Sequence, residues 1–374
     1  MWKKIKYYFF TLSFLGILIA PQVLYKITDA GKNSENSENR TLAEKPDFSV
    51  KEIEEYPARY EEYFNDHLPF KAKFIKLNQI INYHLFQMAE NDQCVMGDEN
   101  WLFFKGDNSL EDFQGICRYS EEQILFIANE IKKVNDYFNS LGKKFVMVIV
   151  PNKESIYGEY LPKKYIQFED YTRADQVYEY LKENTDILVN SPKRELRENK
   201  DKYQSYYKYD THWNAVGAYI SVNSLLEQMN YQTMPPIQEV DIKENGKHNG
   251  DLANMLKLTD IFNDEPLLEL SNISDTNIET VYSIPHSIVY NKKFVSDSKN
   301  QEKVYVVGDS FSAEYAEYLK YNFGECTVIH RDEYTPGLAE SEETDVIVCE
   351  VVERYIIQMG NLSSIFIPDE YKGE

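Results

Sequence analysis

Two short stretches of the 374-residue chain carry side chains able to do covalent chemistry near neutral pH. Gly308-Asp309-Ser310 places a hydroxyl directly after Val304-Tyr305-Val306-Val307, and Asp210-Thr211-His212 places a carboxylate and an imidazole two residues apart. A serine hydroxyl is a weak nucleophile until a neighbouring base takes its proton. An imidazole held by a carboxylate is such a base, and its assistance is worth about 10² to 10⁴ in rate. On an extended segment, side chains two apart leave the same face. Asp210 can then hold His212 in one tautomer while the other ring nitrogen faces Ser310. A plainer assignment also fits: Asp210 caps a helix beginning near Trp213, with His212 satisfied in the same turn. Gly-Asp-Ser by itself often only makes a turn.

The elements that must position these groups are legible in outline. Val304 to Val307 read as a buried strand, and the helix after it starts near Ser312, so Ser310 falls at the strand's carboxyl end. That edge is where open α/β sheets keep their ligands. Ser120 with Gln123 has the form of a capping box before Ile124, Ala128, Ile131, Val134, Phe138 and Leu141, and Gly142 stops that helix. Lys144 to Val150 is a continuous apolar strand. Strand and helix signals recur over 172–184, 186–190, 213–229, 304–307, 313–323 and 345–351. This alternation predicts an α/β fold, a mostly parallel sheet with helices on both faces. Residues 235–300 break the rhythm and read as a long insertion with short strands, a possible cover for the active site.

Composition narrows the function. With 40 basic against 62 acidic side chains and a net charge of −22, the chain lacks the basic footprint that nucleic acid requires. A strongly anionic polymer substrate is disfavoured for the same reason. The 30 tyrosines and 20 phenylalanines invite sugar stacking, though aromatics mostly fill cores.

At the amino end, Lys3, Lys4 and Lys6 precede a nearly uncharged run from Tyr7 to Leu24, long enough to cross ~30 Å of bilayer. Leu18-Ile19-Ala20-Pro21 fits a signal-peptidase site poorly. The expectation is therefore an uncleaved anchor over 1–27, a flexible tether over 28–45 and a helical lead-in over 46–95. A catalytic domain over 96–374 would follow, outside the cytoplasm. Within the lead-in, Ile53, Tyr56, Tyr60 and Phe64 recur at helical spacing across Ser49 to His67, with Pro57 expected to kink or split the helix. Phe74, Leu77, Ile81 and Leu85 stripe a second helix, from Phe70 to Met88, whose apolar side is expected in the core, with a face for a partner as the lesser alternative.

Cys94, Cys117, Cys326 and Cys349 match no zinc spacing. Cys326 and Cys349 sit in strand-like runs and are expected as free buried thiols, and Cys94 with Cys117 is the expected bridge in an oxidising compartment.

Gly308-Asp309-Ser310 after a strand, joined to Asp210-Thr211-His212-Trp213-Asn214 before a helix, resembles the SGNH hydrolase-like acetyltransferases of the AlgJ/AlgX (DHHW) family of polysaccharide O-acetylation. Ordinary SGNH esterases put the serine block first. This family reverses the order, as the chain does. Further matches are Glu38-Asn39-Arg40 with Pro46, Asn65-Asp66-His67 with Pro69-Phe70, Trp101-Leu102-Phe103, and Pro151-Asn152-Lys153-Glu154-Ser155-Ile156-Tyr157. The resemblance implies Ser310 as nucleophile, His212 as general base and Asp210 as its orienting partner, with no cofactor and no metal. It implies transfer of an acetyl group, through an acetyl-serine, to a polysaccharide hydroxyl. The implied partner is a multispanning membrane-bound O-acyltransferase that supplies the acyl group.

Around this centre, the backbone N–H of Ser310 is an expected oxyanion donor. Asn152 after one strand, and Arg354 and Tyr355 after another, are candidates for substrate or oxyanion contacts, with turn-making the alternative for Asn152. Asp309 is expected to support the turn. His67, His248, His286 and His330 lack a partner pattern, so surface or core roles are their default. An extracellular carbohydrate esterase with the same three residues, and a non-catalytic glycan-binding or scaffold protein, are the competing readings.

Overall fold

A computed structural model describes residues 2–27, 42–285 and 290–371. The chain divides into two compact units, Met1–Met88 and Ala89–Glu374.

The first unit holds helices Trp2–Ile27, Tyr56–Asp66 and Lys71–Phe86. Among the described residues no helix is long and apolar enough to cross a membrane. Most of the expected tether, together with Glu38-Asn39-Arg40, lies outside the described residues. Two expectations for the lead-in need correction. Pro57 does not interrupt a helix but sits in the first turn of Tyr56–Asp66, where its missing N–H is no loss and its fixed φ suits helix entry. A separate short 3₁₀ turn, Val50–Glu52, precedes it, capped by the Ser49 side chain. The stripe on Lys71–Phe86 is not core: Phe74 and Leu77 are about half exposed and Leu85 is 72 % exposed.

The second unit is built on strands β1 Cys94–Met96, β2 Leu102–Phe104, β3 Lys144–Val150, β4 Leu188–Asn190, β5 Asp241–Lys247, β6 Pro266–Ser271, β7 Ile278–Pro285, β8 Tyr290–Ser296, β9 Lys303–Gly308, β10 Glu325–His330 and β11 Val346–Val352. Seven of them form one sheet in the order β4-β3-β11-β9-β10-β8-β7. The five from β4 to β10 run parallel, and β8 and β7 continue antiparallel. The pairs β1/β2 and β5/β6 are separate antiparallel ribbons. The insertion over 235–300 is therefore partly structural, because β7 and β8 extend the main sheet.

The period of the strands decides the layers. Val146, Val148, Val304, Val306, Val346 and Val348 face one side, packing with Val216, Tyr219, Val222 and Leu226 of helix Ala215–Gln228 and with Tyr315 and Leu319 of helix Ser312–Leu319. Phe145, Met147, Tyr305, Val307, Ile347 and Cys349 face the other, against Ile127, Ile131 and Phe138 of helix Glu121–Ser140 and Val177 of helix Arg173–Asn184. Alternate residues thus fill two cores, as a sheet covered on both sides demands. The expected capping box is present, with the Ser120 side chain accepting from Gln123 N and the Gln123 side chain from Ser120 N. Gly142 takes a φ of +71° at the helix end, a conformation that glycine adopts without steric cost.

The expected Cys94–Cys117 bridge is absent; all four cysteines are free. Cys94 is held on β1 with its thiol 3.6 Å from Met255 Sδ. Burial pushes that thiol up to about 12. Cys326 and Cys349 are buried free thiols, as their apolar strands predict.

Candidate active site

The loops leaving β3, β11 and β9 share the carboxyl rim of the sheet, and β11 lies between the other two strands. Ser310 follows β9 in a turn built by its neighbour. Asp309 Oδ1 accepts from Phe311 N at 3.1 Å, Oδ2 accepts from Val352 N at 2.9 Å, and the Asp309 carbonyl accepts from Ser312 Oγ at 2.6 Å. Asp309 thus supports the turn and ties it to β11. Gly308 allows the close approach beneath: a Cβ there would lie 2.4 Å from Glu350 Oε2 and 2.8 Å from Ser312 Cβ. Glu350 is 1 % exposed and accepts from Asp309 N at 3.0 Å. Burial, then the nearby Asp309, push its carboxyl well above the usual range.

His212 lies ahead of helix Ala215–Gln228, whose N-cap is Asn214 and not Asp210. Asn214 Oδ1 accepts from Val216 N and Gly217 N, at 3.0 and 3.2 Å. Asp210 is freed for another task. The segment is bent, not extended: Asp210 Oδ1 accepts from His212 N at 2.9 Å and also from His212 Nδ1 at 2.6 Å. One local turn therefore sets both the backbone and the ring. Since an ionised carboxylate only accepts, Nδ1 carries the proton and Nε2 is the acceptor. Nε2 lies 2.7 Å from Ser310 Oγ.

Trp213 explains how segments 98 residues apart meet. Its indole N–H donates to Phe311 O at 3.3 Å, and its ring stacks on Tyr315 with centroids 5.8 Å apart. Phe311 in turn lies 4.7 Å from the His212 ring.

The segment carrying Asp210 is clamped from two sides. Lys153, 2 % exposed, donates from Nζ to the carbonyls of Tyr207, Lys208 and Asp210 at 3.2, 3.1 and 2.7 Å. Burial pulls its ammonium down to about 8 despite Glu265, Asp251 and Asp210 nearby. From the insertion, Glu265 accepts from Tyr209 N at 2.9 Å, and Asp251 accepts from Thr211 N at 2.8 Å and Thr211 Oγ1 at 2.6 Å. His248 Nε2 donates to Asp210 Oδ2 at 2.9 Å.

The charges follow from these contacts. Burial raises Asp210, but hydrogen bonds from His212 and His248 outweigh it and hold the carboxyl well below its usual range. Burial lowers His212, yet Asp210 and Asp251 together lift it above the ordinary imidazole value, against the Arg354 charge. Burial, then the nearby Asp210, push Asp251 up. His212 Nδ1, Asp210 and Asp251 offer three ligand atoms within 4.8 Å of one another. The Nδ1 proton, however, is already committed to Asp210.

Asn152 and Arg354 come together: Arg354 Nη1 donates to Asn152 Oδ1 at 3.2 Å, and both residues are buried. The guanidinium lies 5.5 Å from the Phe311 ring and 4.9 Å from Tyr355. Tyr355 packs against the guanidinium groups of Arg354 and Arg331, with centroid distances of 4.9 and 5.4 Å. His67 hydrogen-bonds Tyr63 O, and the buried His330 accepts from Asp332 N. His286 lies outside the described residues. Sequence reasoning missed His248, Asp251 and Glu265, which enter from the insertion with no spacing signal. It singled out the stretch containing Lys153 without a role for the lysine.

A family model described as an SGNH hydrolase-like domain of the acetyltransferase AlgX matches residues 94–332. The chain belongs to this AlgX-type SGNH hydrolase-like family. It is 24 % identical over 215 residues to the probable alginate O-acetylase AlgJ of Pseudomonas putida, covering 54 % of this chain and 51 % of that protein. It is likewise 24 % identical over 270 residues to AlgJ of Pseudomonas aeruginosa, covering 68 % and 64 %. The chain thus spans between about half and two thirds of the curated relatives it matches. A DHHW family protein from Eubacterium siraeum has the same fold, with a TM-score of 0.57 at 14 % identity over 75 % of this chain and 98 % of that one. Within this AlgX-type fold, Ser310, His212 and Asp210 stand on the carboxyl rim of the parallel strands.

Proposed function

We propose that this protein transfers an acetyl group to hydroxyls of a polysaccharide outside the cytoplasm. The observation that carries this reading is the continuous hydrogen-bond chain Ser310 Oγ–His212 Nε2, 2.7 Å, and His212 Nδ1–Asp210 Oδ1, 2.6 Å. In the first half-reaction His212 takes the Ser310 proton as Oγ attacks the donor's acyl carbonyl. The tetrahedral intermediate collapses with loss of the donor's leaving group, to which His212 returns the proton. In the second half, a sugar hydroxyl gives its proton to His212 and attacks the acetyl-serine, and Ser310 leaves with that proton. Asp210 stays ionised and stabilises the imidazolium. The Ser310 N–H is suited to the oxyanion, and the Asn152–Arg354 pair stands beside Phe311 to meet donor or acceptor.

Resemblance to the alginate O-acetylases favours a polysaccharide acceptor, and a membrane-bound O-acyltransferase is the proposed acyl supplier. Lys3, Lys4 and Lys6 ahead of the uncharged Tyr7 to Leu24 favour attachment at the membrane with the second unit on the outer side. The net charge of −22 disfavours alginate itself as the acceptor.

Purified protein given an activated acetyl ester and neutral oligosaccharides should yield acetylated sugar, with Ser310→Ala inactive. Free acetate alone, across a range of acceptors, would assign the site to an esterase. Retention of cellular function by Ser310→Ala, with no labelling of Ser310 by a sulfonyl fluoride, would assign the chain to the scaffold class.

A further inference from the structure

Asp210 is shared between two imidazoles. Oδ1 serves the backbone and ring of His212, while Oδ2 accepts from His248 Nε2 and from Asp251 N, both at 2.9 Å. Four donors therefore fill the roughly four lone-pair positions of one carboxylate. The carboxylate is 4 % exposed and has no freedom to rotate without breaking several of them. His248 is itself held in place. Its ring lies on Tyr207 with centroids 3.7 Å apart and planes 7° from parallel, and its backbone N–H donates to Glu265 O at 2.9 Å. Gly250 permits this approach, because a Cβ there would lie 2.0 Å from Tyr209 O.

We propose that His248 is a positioning residue of the site: its Nε2–H, donated to the far oxygen of Asp210, aims the near oxygen at His212 and tempers how strongly the carboxylate supports His212 as a base. The inference rests on the acyl-transfer reading of Ser310, His212 and Asp210. The chemistry is simple electrostatics. A carboxylate that spends charge on a second donor offers less to the first. Removing that donor strengthens the hold of Asp210 on the His212 proton and loosens its aim. The remaining groups around the two rings stay in place: Glu265 and Glu314 act on His248 by charge, and Asp251 and Arg354 act on His212.

The test is the rate of Ser310 modification by phenylmethanesulfonyl fluoride, read by mass spectrometry across pH about 5 to 9, which follows His212 as base without needing the natural acceptor. His248→Phe keeps a ring on Tyr207 and removes the N–H. Its acid limb should move to higher pH by about half a unit to one unit, with the plateau lower by about tenfold. His248→Gln, whose amide can still donate, should stay near wild type. A folded His248→Phe whose limb stays put, or moves to lower pH, overturns the proposal even if the plateau falls, since a merely structural residue would give that result. Wild-type protein that never labels at Ser310 would instead defeat the acyl-transfer reading. Should His248→Phe fail to fold, long-range ¹H–¹⁵N spectra of the wild type decide: a proton on Nε2 of His248 is expected, and a proton on Nδ1 alone overturns the proposal.

Discussion

Trp213 and Tyr315 stack with ring planes 12° apart, joining the helix that follows His212 to the helix that follows Ser310. Trp213 is 2 % exposed and bonded to Phe311 O. Trp213→Ala should cost about 3 to 5 kcal/mol of stability and separate Ser310 from His212. Trp213→Phe should cost less and retain partial labelling of Ser310. Urea unfolding with sulfonyl fluoride labelling on the same samples checks both, and a Trp213→Ala protein of unchanged stability would contradict the coupling.

In the proposed acyl transfer His212 must be neutral to act as base, and Asp210 and Asp251 raise its pKa above the usual value of about 6.5. The acid limb of kcat/KM should therefore lie above about 6.5. Asp210→Asn should move the limb to lower pH and reduce kcat by about 10³ to 10⁴. For stability the sign is the opposite of that for activity. A histidine whose folded value is raised stabilises fully below its unfolded value, and the benefit disappears as pH rises through the folded one. Urea midpoints of wild type and His212→Gln should differ most at mildly acidic pH and converge as pH rises.

Gly308 has no room for a side chain, since Glu350 Oε2 and Ser312 Cβ would both lie within 3 Å of an added methyl group, at 2.4 and 2.8 Å. Gly308→Ala should destabilise by about 1 to 3 kcal/mol and displace the Ser310 turn. Thermal melts and the rate of Ser310 labelling should fall together; an unchanged labelling rate would show that the turn tolerates the methyl group.

The four thiols are free. Adding a reductant should leave the melting temperature unchanged, whereas a native bridge would contribute typically about 2 to 4 kcal/mol. Thiol titration of the unfolded protein without reductant should find all four. Any titre short of four would restore the possibility of a bridge.

The framework was legible where period and local caps decide it. Phe145 to Val150 and Val304 to Val307 are buried on both sides, so unbroken apolar runs announced them, and Ser120 with Gln123 marked a helix start through contacts three residues apart. The juxtaposition of Ser310 with His212 was legible as chemistry, from a hydroxyl at a strand's carboxyl end, a carboxylate and imidazole two residues apart, and the family resemblance of both segments. The local conformation was not: Asp210 and His212 were expected on one face of an extended segment, and a bend closed by Asp210 Oδ1 brings them together instead. His248, Asp251 and Glu265 were invisible because each acts 38 to 57 residues away from its partner. The apolar stripe of Lys71–Phe86 misled because helical periodicity reports an apolar face without saying what, if anything, covers it.

The place of β11 has a consequence for how the polypeptide matures. The strand that joins β3 to β9 comes from residues 346–352, about 200 positions after β3. Until those residues emerge, neither half of the hydrophobic interior can close, and the Ser310 turn lacks the Val352 amide that steadies it. A ribosome-bound chain would therefore stay loose until synthesis has passed this point, and a closed site would arrive late and all at once.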